Sequence, residues 1–99
     1  MVKLLVLYGR PQDEAEFTAY YNATHVPLVD KMPGLKRFEH GRTLAAADGG
    51  EAPYWYFAEL GFDDADAMQA SRASPEGTAT AADVGNFATG GVTLFTAEA

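Results

Sequence analysis

Cysteine is absent from this chain. Disulfides, thiolate zinc sites, iron–sulfur clusters and cysteine nucleophiles are excluded with it. Positive charge is scarce, with seven Lys and Arg against fourteen Asp and Glu and a formal net charge of −7. Binding to duplex nucleic acid requires a basic surface that displaces phosphate counterions, and attraction to an anionic membrane requires the same. Neither nucleic acid nor a membrane is therefore expected as a partner. Long hydrophobic runs are also missing. The longest runs from Leu4 to Tyr8, follows Val2 and Lys3, and stops at Gly9-Arg10-Pro11. It is too short for a membrane span or a signal-peptide core, and no Ala-x-Ala site follows it. It reads as a strand, and a cytoplasmic location is the default expectation. Only two histidines occur, His25 and His40, so one chain cannot supply a three-histidine metal site. Nucleotide-binding glycine motifs, a phosphate loop, His-Glu-x-x-His and Gly-x-Ser-x-Gly are all lacking. The chain is expected to require no cofactor and no metal.

What is present is an ordinary globular composition, 47% hydrophobic and 21% charged. Residues 1–99 are expected to form a single domain. A chain of this size buries a modest share of its surface and, without disulfides, needs a good core or a partner subunit.

Val2 to Tyr8 is apolar on both parities, the pattern of a strand covered on both faces. Asp13 and Glu16 stand in capping-box spacing and open a helix, with Phe17, Tyr20, Tyr21 and Thr24 recurring on one face. Pro27 disfavours helical geometry at Val26, so this helix is expected to bend or break near His25. Met32-Pro33-Gly34 reads as a turn. A strand is expected from Leu35 to Leu44, a loop from Ala45 to Pro53 and a second aromatic strand from Tyr54 to Leu60. Asp63 or Asp64 caps the next helix. Ser74-Pro75-Glu76 starts another, running to about Asn86 or Phe87, and Gly90-Gly91 releases a last strand, Val92 to Thr96.

Strand, helix, strand, strand, helix, strand is the ferredoxin-like α+β pattern, an antiparallel four-stranded sheet with its helices on one face. Helices then cover one face only, yet the first and third strands are apolar or aromatic on both. A second copy whose sheet covers the open face resolves the conflict, and the pattern predicts a homodimer of α+β barrels.

Candidate chemistry rests on aromatic density and two histidines. His25 lies four residues after Tyr21 and eight after Phe17. A partly buried imidazole suits proton transfer; the plain structural alternative is a helix-end histidine bonded to backbone. In the low-dielectric space between helix and sheet its ring needs a partner, either a tyrosine, an acid such as Asp83, or water. His40, beside Glu39 and Arg42, reads as an exposed cross-strand residue. Phe17, Tyr20 and Tyr21 read as core or pocket, because buried hydroxyls need partners and often face a polar cavity. Tyr54 to Phe57 alternate faces, so some of them line a pocket and others the dimer seam.

The order Phe17…Tyr20-Tyr21…Thr24-His25-Val26-Pro27-Leu28-Val29, then Met32-Pro33-Gly34-Leu35, resembles the EthD family, first linked to ethyl tert-butyl ether degradation. Trp55-Tyr56…Glu59-Leu60-Gly61-Phe62, Ser74-Pro75-Glu76-Gly77 and Asp83…Asn86-Phe87 extend the likeness over nearly the whole chain. The resemblance implies a dimeric α+β barrel and a catabolic role on a small hydrophobic aromatic or alicyclic compound. Members are commonly labelled oxidoreductases, and related barrels include cofactor-free monooxygenases, cyclases and isomerases. It further implies His25 as the catalytic residue and supports Asp83 and Phe87 as pocket or helix-packing positions. The expected site is His25 with Phe17, Tyr20, Tyr21, Tyr54, Tyr56, Asp83 and Phe87 around a small hydrophobic ligand. A non-catalytic protein that sequesters such a compound for a partner oxygenase is the alternative.

Overall fold

The computed structural model describes every residue, Met1–Ala99. Its elements are β1 (Val2–Tyr8), α1 (Glu14–Tyr20), a π-helical turn (Tyr21–His25), α2 (Val26–Asp30), β2 (Arg37–Arg42), β3 (Tyr56–Phe62), α3 (Ala65–Ala73), α4 (Pro75–Asp83), a 3₁₀ turn (Val84–Asn86) and β4 (Val92–Glu98). The strands form one antiparallel four-stranded sheet in the order β2-β3-β1-β4. This is the ferredoxin-like arrangement that the element order predicts. No helix is long and apolar enough to cross a membrane.

Strand pairing explains which side chains share a face. β1 pairs with β3 from Val2 opposite Phe62 to Tyr8 opposite Tyr56. Leu4, Val6 and Tyr8 therefore share a face with Tyr56, Ala58, Leu60 and Phe62. All seven are buried, in one core with Phe17, Tyr21, Val29, Met68 and Phe87 from the helical side. The opposite parity has no helix over it. There Leu5 lies opposite Phe95 and Leu7 opposite Phe57. Phe95 is 48% exposed, and Lys3 pairs with Glu59 at 2.9 Å on the same face.

Local signals set the helix starts. Asp13 accepts from the Glu16 amide at 3.0 Å, Asp64 from the Ala67 amide at 2.8 Å and Ser74 from the Gly77 amide at 3.0 Å. Each satisfies an amide that has no partner within its helix. α3 and α4 meet almost end to end at Ser74, and Gly77 is what lets them do so. A Cβ there would sit 2.8 Å from the Arg72 Cα and closer still to the Ser71 carbonyl oxygen.

Two expectations change. The aromatic strand begins at Tyr56 rather than Tyr54, and β2 spans Arg37–Arg42, the middle of the expected Leu35–Leu44. The helix at Pro27 does not break either, because Val26 keeps right-handed helical geometry at φ −55° and ψ −47°. A π turn precedes it instead, with the Val26 amide donating to the Tyr21 carbonyl five residues back. The wider turn relieves the clash that a proline ring makes with the carbonyl four residues before it.

Candidate functional site

A cavity of about 340 Å³ lies between the sheet and the helices. Well-packed interiors hold few voids larger than a water molecule, so a hollow of this size, open at its rim, stands out from the packed core around it. Its buried depth is formed by Tyr8, Tyr21, His25, Val29 and Ala58, and its exposed rim includes Gln69, Arg72, Ala81 and Leu94. Of its seventeen lining residues twelve are hydrophobic, the composition of a site for an apolar ligand with a few polar contacts.

The π turn places Tyr21 and His25 at its two ends, and both side chains are buried. His25 Nδ1 lies 2.9 Å from Asp83 Oδ2. The carboxylate accepts, so Nδ1 carries the proton and Nε2 is left as the basic nitrogen of the neutral ring. Nε2 makes no hydrogen bond within the chain, and the ring lines the cavity. Burial lowers the His25 pKa, and the bond to Asp83 opposes that shift only in part. The imidazole is thus neutral at neutral pH and available as a base.

Asp83 is itself fixed in place. Its Oδ1 accepts from the Tyr20 hydroxyl at 2.6 Å and from Asn86 Nδ2 at 3.0 Å. Burial pushes its pKa up, but the bonds from Tyr20, Asn86 and His25 outweigh it and hold the carboxyl below its ordinary value. The bond to Asp83, together with burial, raises the Tyr20 phenol. A buried carboxylate that accepts three hydrogen bonds stays ionised and holds the ring in one orientation.

Tyr21 stands between the two histidines, with ring centroids 5.1 Å from His25 and 5.2 Å from His40. Its hydroxyl is buried beside the Tyr8 phenol and makes no hydrogen bond of good geometry. Burial raises the Tyr21 and Tyr8 phenols far above their ordinary value, so both remain O–H donors. On the far side of Tyr21 the Tyr56 hydroxyl is hydrogen-bonded to His40 Nδ1 at 2.7 Å, and burial raises Tyr56 and lowers His40. No cluster of three His, Asp or Glu side chains occurs anywhere in the fold.

Of the site residues expected from sequence, Tyr21 and His25 line the cavity. Asp83, Tyr20, Phe87 and Tyr56 form the layer behind them: Asp83 on His25, Tyr20 on Asp83, Phe87 at 4.6 Å from the His25 ring, Tyr56 at 4.9 Å from Tyr21. Phe17 belongs to the core, stacked on Tyr21 at 5.7 Å and edge-on to Trp55 at 5.0 Å. Tyr54 lies apart, in a surface cleft with Arg10, Arg42 and Glu51. It precedes β3, so strand alternation does not aim it inward. The structure also corrects the expected exposure of His40, which is half-buried, stacked on Phe38 at 4.8 Å and bonded to Tyr56. Tyr8 was legible only as a core position at the end of β1, on the parity of Leu4 and Val6.

Residues 9–91 match the EthD domain family. The chain is 46% identical over 100 residues to an uncharacterized 11.0 kDa protein of the thcB–thcC intergenic region of Rhodococcus erythropolis, covering 99% of this chain and 95% of that one. It superposes with a TM-score of 0.91 on an EthD family protein from Bacillus halodurans, 33% identical, over 100% of this chain and 98% of that one. A dimeric ferredoxin-like protein of unknown function from Thermobifida fusca shares the fold at a TM-score of 0.74 and 16% identity, over 99% of this chain and 90% of that one.

Proposed function

The chain belongs to the EthD family, and from that premise we propose that it is a cofactor-independent enzyme that moves a proton on a small hydrophobic ring compound. The observation that carries this reading is the bond between His25 Nδ1 and Asp83 Oδ2 at the wall of an apolar cavity. A histidine tied to backbone, or a wholly apolar wall, would have favoured a sequestering protein instead. A carboxylate-oriented imidazole with a free Nε2 is a general base.

The step balances without a co-reactant. Nε2 takes a proton from a carbon next to the ligand's carbonyl, the C–H electron pair becomes the C=C bond of the enolate as the carbonyl π pair moves to oxygen, and that oxygen accepts from a phenol of the cavity wall, Tyr8 or Tyr21. The imidazolium formed is stabilised by Asp83. Return of the proton to the same carbon gives exchange, and to a conjugated position gives isomerisation. The cavity volume lies near the small end of the roughly 300–1,000 Å³ found for ligand sites, which suits a compound of one or two rings.

The test is NMR of deuterium uptake by cyclohexanone and 2-tetralone in D₂O. The wild-type chain is expected to accelerate exchange. His25→Asn is expected to keep fold and binding and to lose about 10²–10⁴-fold of the acceleration, the size of a general acid–base contribution. Unchanged exchange in a folded His25→Asn protein removes His25 from the mechanism and leaves the sequestering role ahead.

The working unit in this reading is a homodimer. The support is the uncovered apolar row of Leu5, Leu7, Phe57 and Phe95 on neighbouring strands, together with the dimeric state of the Thermobifida fusca protein. Sedimentation at micromolar concentration is expected to give twice the 10.6 kDa chain mass; a persistent monomer refutes this part alone.

A further inference from the structure

We propose that Arg72 is a specificity determinant at the mouth of the cavity and that the ligand is an anion, a ring compound bearing a carboxylate. This rests on the preceding reading of the cavity as the substrate site. The chain carries twice as many acidic as basic residues, yet no Asp or Glu lines the cavity, and its one cationic lining residue is Arg72. Chance placement on so acidic a chain would put carboxylates there first.

Arg72 also has no ionic partner. Lys3, Arg10 and Lys36 are each paired with a carboxylate, Arg42 lies over the Trp55 ring at 4.1 Å, and Lys31 and Arg37, which are also unpaired, lie away from the cavity. Arg72 makes no salt bridge and no side-chain hydrogen bond, although its exposed position leaves it free to do so. Gln69, three residues earlier on the same face of α3, lines the same rim and offers a second donor. The backbone beneath Arg72 is held fast, because Gly77 packs against its Cα with no room for a side chain. A planar guanidinium on a fixed base, over an apolar cavity, is suited to bidentate capture of a carboxylate. The ring then enters the cavity, and the carboxylate stays at the wet rim, where its desolvation is small. Arg72 also sits in the last turn of α3, where a cation complements the helix dipole. That role predicts no ligand preference, so the two are separable.

The experiment is isothermal titration calorimetry of the full chain with 4-oxocyclohexanecarboxylate and its neutral isostere 4-oxocyclohexanecarboxamide. The wild type is expected to bind the carboxylate about 2- to 5-fold more tightly, the range for a solvent-exposed ion pair. Arg72→Gln is expected to bring the two affinities together without weakening the carboxamide, and Arg72→Lys to keep part of the preference. Equal affinities in the wild type, or an unchanged preference in a folded Arg72→Gln protein, overturn the proposal and leave the cavity reading intact. No binding of either probe at millimolar concentration overturns both.

Discussion

Asp83 and His25 are 58 residues apart in sequence and 2.9 Å apart in the fold. Neither is satisfied alone, since burial disfavours a lone carboxylate and leaves a lone imidazole free to flip. Tyr20 and Asn86 hold the carboxylate from the other side, so the pair is oriented before any ligand arrives. Asp83→Asn keeps the shape but sets an amide against Nδ1 and releases the tautomer. Turnover of an exchange substrate is expected to fall by about 10²–10⁴-fold, with ligand affinity little changed. A matching loss of affinity would mean that Asp83 acts on binding instead.

Tyr21→Phe is expected to stabilise the protein and disable it together. The hydroxyl is buried and makes no hydrogen bond of good geometry, and an unsatisfied buried polar group costs about 1–3 kcal/mol. Its removal should raise the melting temperature of the free protein while slowing enolate formation. Stability and function are commonly opposed at such positions. A variant that melts lower and exchanges normally would contradict both halves.

Stability is expected to fall on acidification in two stages. Burial lowers the folded-state pKa of His25 and of His40, so the unfolded chain takes up these protons first. Stability is therefore full above the ordinary histidine value of about 6.5 and is lost as pH drops below it. Asp83, held below its ordinary value, adds a further loss at more acidic pH, below its unfolded-state value. The raised phenols of Tyr8, Tyr21 and Tyr56 have the opposite sign, and stability is lost above about pH 10 as the unfolded chain ionises. Urea melts from pH 2 to 11 check the profile. The double variant His25→Asn, His40→Asn should flatten the first acid stage and spare the alkaline one.

Gly77→Ala tests the α3–α4 junction. The new methyl group meets backbone of Ser71 and Arg72 and not a movable side chain, so the junction must shift. A loss of about 1–3 kcal/mol is expected, as for overpacking elsewhere, despite the better helix propensity of alanine. Chemical denaturation measures it. A gain in stability would show that the helices are not held this close.

Most of the fold was legible because its signals are local. Asp13, Asp64 and Ser74 cap helices whatever lies beyond them, and the alternating apolar residues of β1 select their own face. The site was legible in part. His25, Tyr21 and Asp83 could be named from sequence, but not which of several partners His25 would take, because that choice depends on how α4 comes to rest against α2. His40 takes the cross-strand place expected of it, bonded to Tyr56 on the neighbouring strand, but not an exposed one: its neighbours Glu39 and Arg42 are polar, whereas Phe38 and Tyr56 cover its ring. Tyr54 was misplaced by a two-residue error in where β3 begins, enough to carry it out of the sheet. Arg72 gives no sequence signal, as a lone arginine on a helix is ordinary until the cavity beside it is seen.

The π turn from Tyr21 to His25 has a consequence of another kind. A single residue inserted into an α-helix leaves such a turn, and one residue is worth about 100° of rotation about the axis. The direction in which His25 faces is thus set by the phase of the backbone, apart from any contact of its own. Side-chain substitutions around the turn leave that phase alone, so a scan of point variants will pass over it. Shortening the segment by one residue, at exposed Ala23 for example, keeps every site residue in the chain but closes the wide turn to an ordinary α turn, and brings the Pro27 ring back against the carbonyl four residues before it.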